Sequence, residues 1–376
     1  MKRKFVFILV LAFVFALAVG CAGSKTPSDT NTPSGTSTPS GTSTPSDSGS
    51  AVNDKTIHLS LSNQWGATAY INTDILTRWK TDLEKATNGQ YTIDIYPANT
   101  LTPTAENYQG VVNDISDIGM CTFSVTPGRF PIIEAFMLPG VANFNNATGA
   151  GYALNEALQT LNPDEVKDTH ILFTFSTGAN VLLSSKSITS LEDLKGLSLG
   201  STQAERANAM TLMGANPVSL SMPEWFEALQ KGMVVGGITS PEALEGFSLH
   251  EVTGDYILDW PYFNVTMFYC AMNINTYNNL SPEAKAFFDQ VPDYVMGAWD
   301  YLVPHAIDLT KSNKTVTINK LTDAESQRWL DTLAPMVQAN VDSLNAKGFD
   351  GVQLHQYFQD LATKYNGLYP NSLLGD

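Results

Sequence analysis

At 376 residues, 43% of them hydrophobic and 15% charged, the chain is long enough for two domains with cores of their own. Its formal net charge of −16 lacks the basic footprint that nucleic acid requires, so no nucleic-acid partner is expected.

Lys2, Arg3 and Lys4 precede an apolar run from Phe5 to Val19 and then Gly20-Cys21. That order predicts a lipoprotein signal over residues 1–20, with Leu17-Ala18-Val19-Gly20-Cys21 as the lipobox and Cys21 as the lipidated mature N-terminus. The alternatives are an ordinary secretory signal or an uncleaved anchor, but the run is short for a spanning helix. Residues 21–54 are Ser, Thr, Pro and Gly with a repeated GTSTPS unit and have no apolar surface to bury. They are expected to be a disordered tether, or alternatively a glycosylated stalk. Loss of three positive charges with the signal takes the net charge from −16 to −19, so the lipid, not the protein surface, holds the chain at a membrane. The expected location is extracytoplasmic, in a periplasm or on the outer face of the cytoplasmic membrane. Cys121 and Cys270 lie in apolar surroundings that suit buried free thiols, while export leaves a disulfide open.

The folded part opens with a strand over 56–61 and a loop at Ser62-Asn63-Gln64-Trp65-Gly66. Ile75, Leu76, Trp79 and Leu83 share one face of a helix over 72–87 that stops at Asn88-Gly89. Tyr91, Ile93 and Ile95 alternate as a strand, and a helix over 106–112, a strand over 118–123, a helix over 147–161 and a strand over 170–175 follow. Residues 189–251 repeat the rhythm as β-α-β-α-β, with strands at 197–199, 217–220 and 233–235. Helices at 203–213 and 222–231 lie between them, and Gly214 and Gly232 act as stops. Parallel strands under covering helices are the expected packing. A strand over 264–273 returns to the first domain, and 281–365 reads as helical.

Gly196-Leu197-Ser198-Leu199-Gly200 matches G-x-S-x-G, which makes a secreted serine hydrolase the enzyme alternative. The elbow needs a strand before the serine and a helix after it, whereas Ser198 falls inside a predicted strand. The histidines are scattered and His250-Glu251 lacks a second histidine four residues on, so no metal site is expected. Gly236-Gly237 lacks the lysine and glycine spacing of a phosphate loop. No cofactor is expected.

The segments DLKGL, MGANPVSL, EWFEALQKGMVVGG, PEALEGFSLHEV and AMNINTYNNLSPEAKAFFD occur in this order. NGQYTIDIYPANTL and PGRFPIIEAFMLPG precede them, and KLTDAESQRWLDTLAPMVQ follows. With this ordered set the chain resembles the TRAP-transporter solute-binding proteins of the DctP type, over nearly all of its length after the tether. The resemblance implies an α/β, two-lobe periplasmic-binding-protein-like fold with a cleft between lobes and long C-terminal bridging helices. Residues 55–177 with 266–305 would form lobe one, and 178–265 with 306–376 lobe two and the bridging helices. It implies a monomeric binding protein that is not an enzyme, closes on a small-molecule solute and delivers it to TRAP membrane subunits. An extracytoplasmic sensor signalling to a membrane receptor is the other binding-class reading.

Most proteins it resembles hold a substrate carboxylate with an arginine where this chain has Gly200, and some use a second basic residue where it has Asn180. A glycine cannot supply the bidentate, charge-assisted pair. The same alignment places Ser62, Thr104 and Thr122 as hydroxyls in the cleft, Met222 as an apolar contact and Thr239 where many have asparagine. Trp65, Tyr70 and Phe123, on loops or strand ends, are stacking candidates. Arg206 is placed to rescue an anionic site, against the plain reading of a solvated side chain. Glu106 or Glu242 would suit a cationic group. The expected cleft is short, polar and nearly uncharged, with spare room at Gly200. A neutral, hydroxyl- or amide-rich solute is the first expectation and a cationic amine the second.

Overall fold

The structure, a computed structural model, describes residues 56–370; the signal, Cys21 and the tether lie outside the described residues. β1 (Ile57–Asn63) is followed by a π-helical turn, Ile71–Leu76, that runs into α1 (Thr77–Ala86), and then by β2 (Tyr91–Tyr96) and α2 (Asn107–Val112). β3 (Ile118–Thr122), α3 (Pro131–Phe136), α4 (Ala147–Leu161) and β4 (Thr169–Ser176) come next. The central part holds β5 (Val181–Ser184), α5 (Leu191–Leu194), β6 (Ser198–Ser201), α6 (Ala204–Leu212), β7 (Asn216–Ser219) and α7 (Met222–Gln230). It continues through β8 (Gly236–Thr239), α8 (Ala243–Gly246), β9 (Tyr256–Asp259) and β10 (Met267–Asn273). Short helices α9 (Ile274–Asn278), α10 (Pro282–Phe288) and α11 (Asp293–Met296) lead into α12 (Ala298–Asn313), β11 (Thr317–Lys320), α13 (Asp323–Ala346) and α14 (Gly351–Leu368).

Local chemistry fixes many of these ends. Asn146 caps α4 by accepting the Gly149 N–H at 2.7 Å, and Asn162 closes it in the left-handed region at φ 42°. Ser221 and Glu224 form a capping box that starts α7. Thr322 caps α13.

The strands build two sheets. The first has the order β2-β1-β3-β10-β4, with β1 parallel to β2 and β3 and with β10 antiparallel to both β3 and β4. The second has the order β11-β9-β5-β8-β6-β7; β6 is parallel to β7 and β8, and β5 runs antiparallel to β8 and β9. The strands of residues 189–251, β6, β7 and β8, are parallel as expected, and the sheet as a whole is mixed because β5, from outside that stretch, runs antiparallel to β8 and β9. Two expectations are corrected. The strand read at 233–235 forms at Gly236–Thr239 instead, and the supposedly all-helical C-terminal region contains β11, paired with β9.

The first sheet packs its face on Leu59, Leu61, Trp79, Leu83, Ile93 and Phe173, all buried. The second packs on Val181, Leu183, Trp225, Leu244 and Ile257. Burial of each such side chain contributes about 1.5–3 kcal/mol. α12 belongs to both cores, since Ala298 and Trp299 join the first and Val303, Ala306 and Ile307 the second. Pro304 interrupts its hydrogen-bond ladder close to this changeover. Together with the passages from β4 to β5 and from β9 to β10, α12 makes a third crossing between two lobes. α13 packs on α6 and α3 and so bridges the lobes, while α14 packs on α13 and on α3 and α4 of the first lobe. Cys121 and Cys270 are free, buried thiols, and burial pushes the Cys121 thiol up to about 12.

Candidate functional site

Between the sheets lies a cavity of about 720 Å³. Its walls come from the carboxyl ends of β1, β2, β3, β4, β6, β7 and β8 and the segments that follow them, with Thr266 and Phe268 at the entry to β10. Open α/β sheets place ligands at this end of their strands.

Of the residues expected at the site, Trp65, Thr104, Thr122, Arg206, Met222 and Thr239 line the cavity. Trp65 rests against Phe268 with ring centroids 5.2 Å apart and forms an aromatic wall with it. The Thr104 hydroxyl donates to Asn99 Oδ1 at 2.8 Å, and the Thr122 hydroxyl donates to the Met267 carbonyl at 3.1 Å. Thr239 Oγ1 lies 3.9 Å from the Met222 sulfur.

Ser62, Tyr70, Phe123, Asn180 and Gly200 are not among the lining residues. Ser62 is fully buried at the end of β1, and its hydroxyl lies 2.6 Å from that of Thr102. Tyr70 packs on Tyr301 with centroids 5.9 Å apart. Phe123 is core, edge-on to Phe130 and Tyr269. Asn180 spends its amide on the Asn264 carbonyl at 2.7 Å. At Gly200 the spare room is absent, because an added Cβ would meet the Trp225 indole at 3.2 Å. Of the two candidate acids, Glu106 is exposed and outside the cavity, whereas Glu242 lines it.

Arg206 and Glu242 are the charged residues of the lining. Arg206 is not solvated; it is 2% exposed. Its Nη2 donates to Thr266 Oγ1 at 2.7 Å and to the Val265 carbonyl at 3.3 Å. Its Nε has no partner, and no carboxylate lies within ion-pair distance among the described residues. Burial draws the guanidinium down to about 9, against the nearby charges of Glu205 and Glu242. Burial also pushes the Glu242 carboxyl up to about 7, opposed by hydrogen bonds from the Ser240 hydroxyl, the backbone and Trp299. The rest of the lining includes Val125, Pro127, Leu220, Met222 and Phe247. The cavity thus combines apolar walls with many hydroxyl and amide side chains, as in the polar cleft expected, but it also holds a buried arginine and a glutamate where a nearly uncharged lining was expected.

Sequence reasoning missed Ser124 and Gln203, which meet across the lobes: Gln203 Nε2 donates to Ser124 Oγ at 2.7 Å. Their signal was position, since Ser124 follows the end of β3 and Gln203 is the N-cap of α6. Ser198, the hydrolase candidate, is the first residue of β6 in register with Asn216, and its carbonyl accepts the Val235 N–H at 3.0 Å. The G-x-S-x-G pattern runs through a strand and makes no elbow.

The family model described as bacterial extracellular solute-binding protein, family 7 (DctP), matches residues 61–343. A solute-binding protein of Albidiferax ferrireducens is 23% identical over 232 residues, 58% of this chain and 62% of that protein. The sialic acid-binding periplasmic protein SiaP of Vibrio cholerae is 27% identical over 206 residues, 52% of this chain and 61% of that protein. The match therefore spans about three fifths of these curated relatives. A TRAP solute-binding protein of Rhodoferax ferrireducens, solved with copurified benzoate, superposes with a TM-score of 0.76 at 26% identity, covering 84% of this chain and 100% of that one.

Proposed function

Since the chain belongs to the bacterial extracellular solute-binding proteins of family 7, DctP, a family of binding proteins and not of enzymes, we propose that it captures a small organic acid between its lobes and delivers it to TRAP membrane subunits. The observation that carries the acid is Arg206. A guanidinium buried on the cavity wall with a free Nε and no ion-pair partner is short of negative charge, and a solute carboxylate supplies it. The neutral-solute expectation rested on the missing arginine at Gly200 and on hydroxyl and amide side chains in the cleft; the burial of Arg206 on the cavity wall favours the anionic alternative. The aromatic wall of Trp65 and Phe268 suits a flat apolar body, and the benzoate of the Rhodoferax protein is a solute of that kind.

Calorimetry of benzoate and 3-phenylpropionate beside benzamide and benzyl alcohol tests this reading. The acids are expected to bind at least tenfold more tightly than the neutral analogues. Arg206→Met is expected to weaken them by about 1.5–3 kcal/mol, the worth of a charged hydrogen bond. Neutral analogues that bind as tightly as the acids would refute the carboxylate role of Arg206. Delivery to TRAP subunits rests on family membership, and co-purification with those subunits from solubilised membranes separates it from sensing. We propose further that Cys21 carries the lipid anchor: Cys21→Ser should release the protein from membranes, and a variant that still sediments with them after a salt wash refutes the anchor.

A further inference from the structure

Arg206 and Glu242 line one cavity, carry opposite charges, and form no ion pair with each other. Attraction in such a poorly hydrated space would draw them together if they were free to move. Each is held by its own anchors. Arg206 is tied through Nη2 to Thr266 Oγ1 and the Val265 carbonyl, on the passage into β10. Glu242 stands just before α8 and receives the Ser240 hydroxyl on its carboxylate. The two groups therefore line the cavity from different elements, each anchored separately and not ion-paired with the other.

A simple monoanion would satisfy Arg206 and leave its negative charge in the same chamber as the Glu242 carboxylate. A simple cation would do the reverse. Resting on the carboxylate reading of Arg206, we propose that the solute is zwitterionic: its carboxylate pairs with Arg206, its ammonium pairs with Glu242, and an apolar body between them lies on the Trp65, Met222, Phe247 and Phe268 wall. A solute of this class gives Arg206 a counter-charge and holds Glu242 ionised against the burial that favours its protonated form, and it is preferred over its own des-amino analogue, which leaves Glu242 without a cation.

The probes are 2-, 3- and 4-(aminomethyl)benzoate, each paired with the ethylbenzoate in which the ammonium becomes a methyl group. Calorimetry is run on the intact mature protein and on Glu242→Gln. At least one aminomethyl isomer is expected to bind tenfold or more tightly than its ethyl partner, and Glu242→Gln is expected to abolish that preference. If every ethyl isomer binds as tightly as its aminomethyl partner, the zwitterion inference is overturned while the carboxylate reading stands. If no acid of either kind binds, both are overturned. A preference that survives intact in Glu242→Gln also overturns the inference. Should that variant fail to fold, the wild-type comparison of each pair decides.

Discussion

The carbonyl oxygen of Asn264 accepts two hydrogen bonds from Asn180, one from its backbone N–H at 2.9 Å and one from its side-chain amide at 2.7 Å. These residues lie on the two strand-to-strand crossings between the lobes, so this one oxygen clamps both passages together. Asn264 pays a conformational penalty to present it, standing at φ 60° and ψ −158°, a region that is nearly confined to glycine. Its side chain compensates by donating to the Phe136 carbonyl at 2.8 Å and accepting the Val265 N–H at 2.9 Å.

Asn264→Ala keeps the strained backbone and loses the side-chain bonds, including a third to the Leu138 carbonyl at 3.3 Å, whereas Asn264→Gly loses the bonds and relieves the strain. Both are expected to destabilise, and alanine by about 1–3 kcal/mol more than glycine. Urea denaturation measures the difference. Equal stability of the two variants would show that no strain is stored there.

The contact of Gln203 with Ser124 joins the lobes at the cavity itself, and both side chains are buried. Ser124→Ala leaves the Gln203 amide without this acceptor, which favours the separated arrangement of the lobes. Small-angle scattering of the unliganded variant is expected to show a larger radius of gyration, with solute affinity reduced several-fold. An unchanged profile and affinity would count against a latch.

Glycines in the second sheet make a graded test. A Cβ on Gly236 would stand 2.0 Å from the Leu183 carbonyl in the neighbouring strand, whereas on Gly200 its nearest neighbours would be side chains, the edge of Trp225 at 3.2 Å and Leu220 at 3.5 Å. Gly200→Ala is expected to cost about 1–3 kcal/mol, and Gly236→Ala more, because a backbone oxygen in a ladder cannot step aside. Thermal melts rank the two, and the reverse order would contradict the close approach of β5 and β8.

Acid stability follows from Glu165 and Glu242, whose carboxyls burial pushes up to about 7. Glu165 is held at the start of α3 by the Ile132 and Ile133 N–H groups, which oppose but do not cancel that shift. A carboxyl with a raised folded pKa binds its proton more tightly when folded than when unfolded. Its contribution is therefore fully present below about 4.3 and is lost as the pH rises through 7. The melting temperature of the unliganded protein should fall between pH 5 and 8, and Glu242→Gln should flatten part of that slope. A melting temperature that rises across the interval would contradict the burial of these carboxyls.

Much of the fold was legible because its signals are local. The apolar stripe of Trp79 and Leu83 and the stops at Gly214 and Gly232, both left-handed, each act within one turn of helix. β8 was displaced in the reading because Gly236 and Gly237 carry no side chain to display strand alternation; their value lies in letting Leu183, Trp225 and Gly200 come close. β11 was missed because it is four residues, TINK, partly exposed between two long helices. In the site, hydroxyls and amides do not declare which way they face. Ser62 and Asn180 turn inward to bonds made by residues 40 and 84 positions away, while Thr104 and Thr122 reach the cavity. Arg206 was legible as a candidate but its burial was not, for a related reason: it is set by the Val265–Thr266 passage from another part of the chain.

The insertion of β10 between β3 and β4 also governs when the protein can acquire its form. β4 has no other partner in its sheet, so until Met267–Asn273 has left the ribosome, β3 and β4 each present an open edge and the first lobe stays incomplete. More than two thirds of the chain must therefore be synthesised before that lobe can lock, a delay that keeps a nascent polypeptide threadable. A fragment ending before β10 is expected to aggregate instead of folding as half a protein.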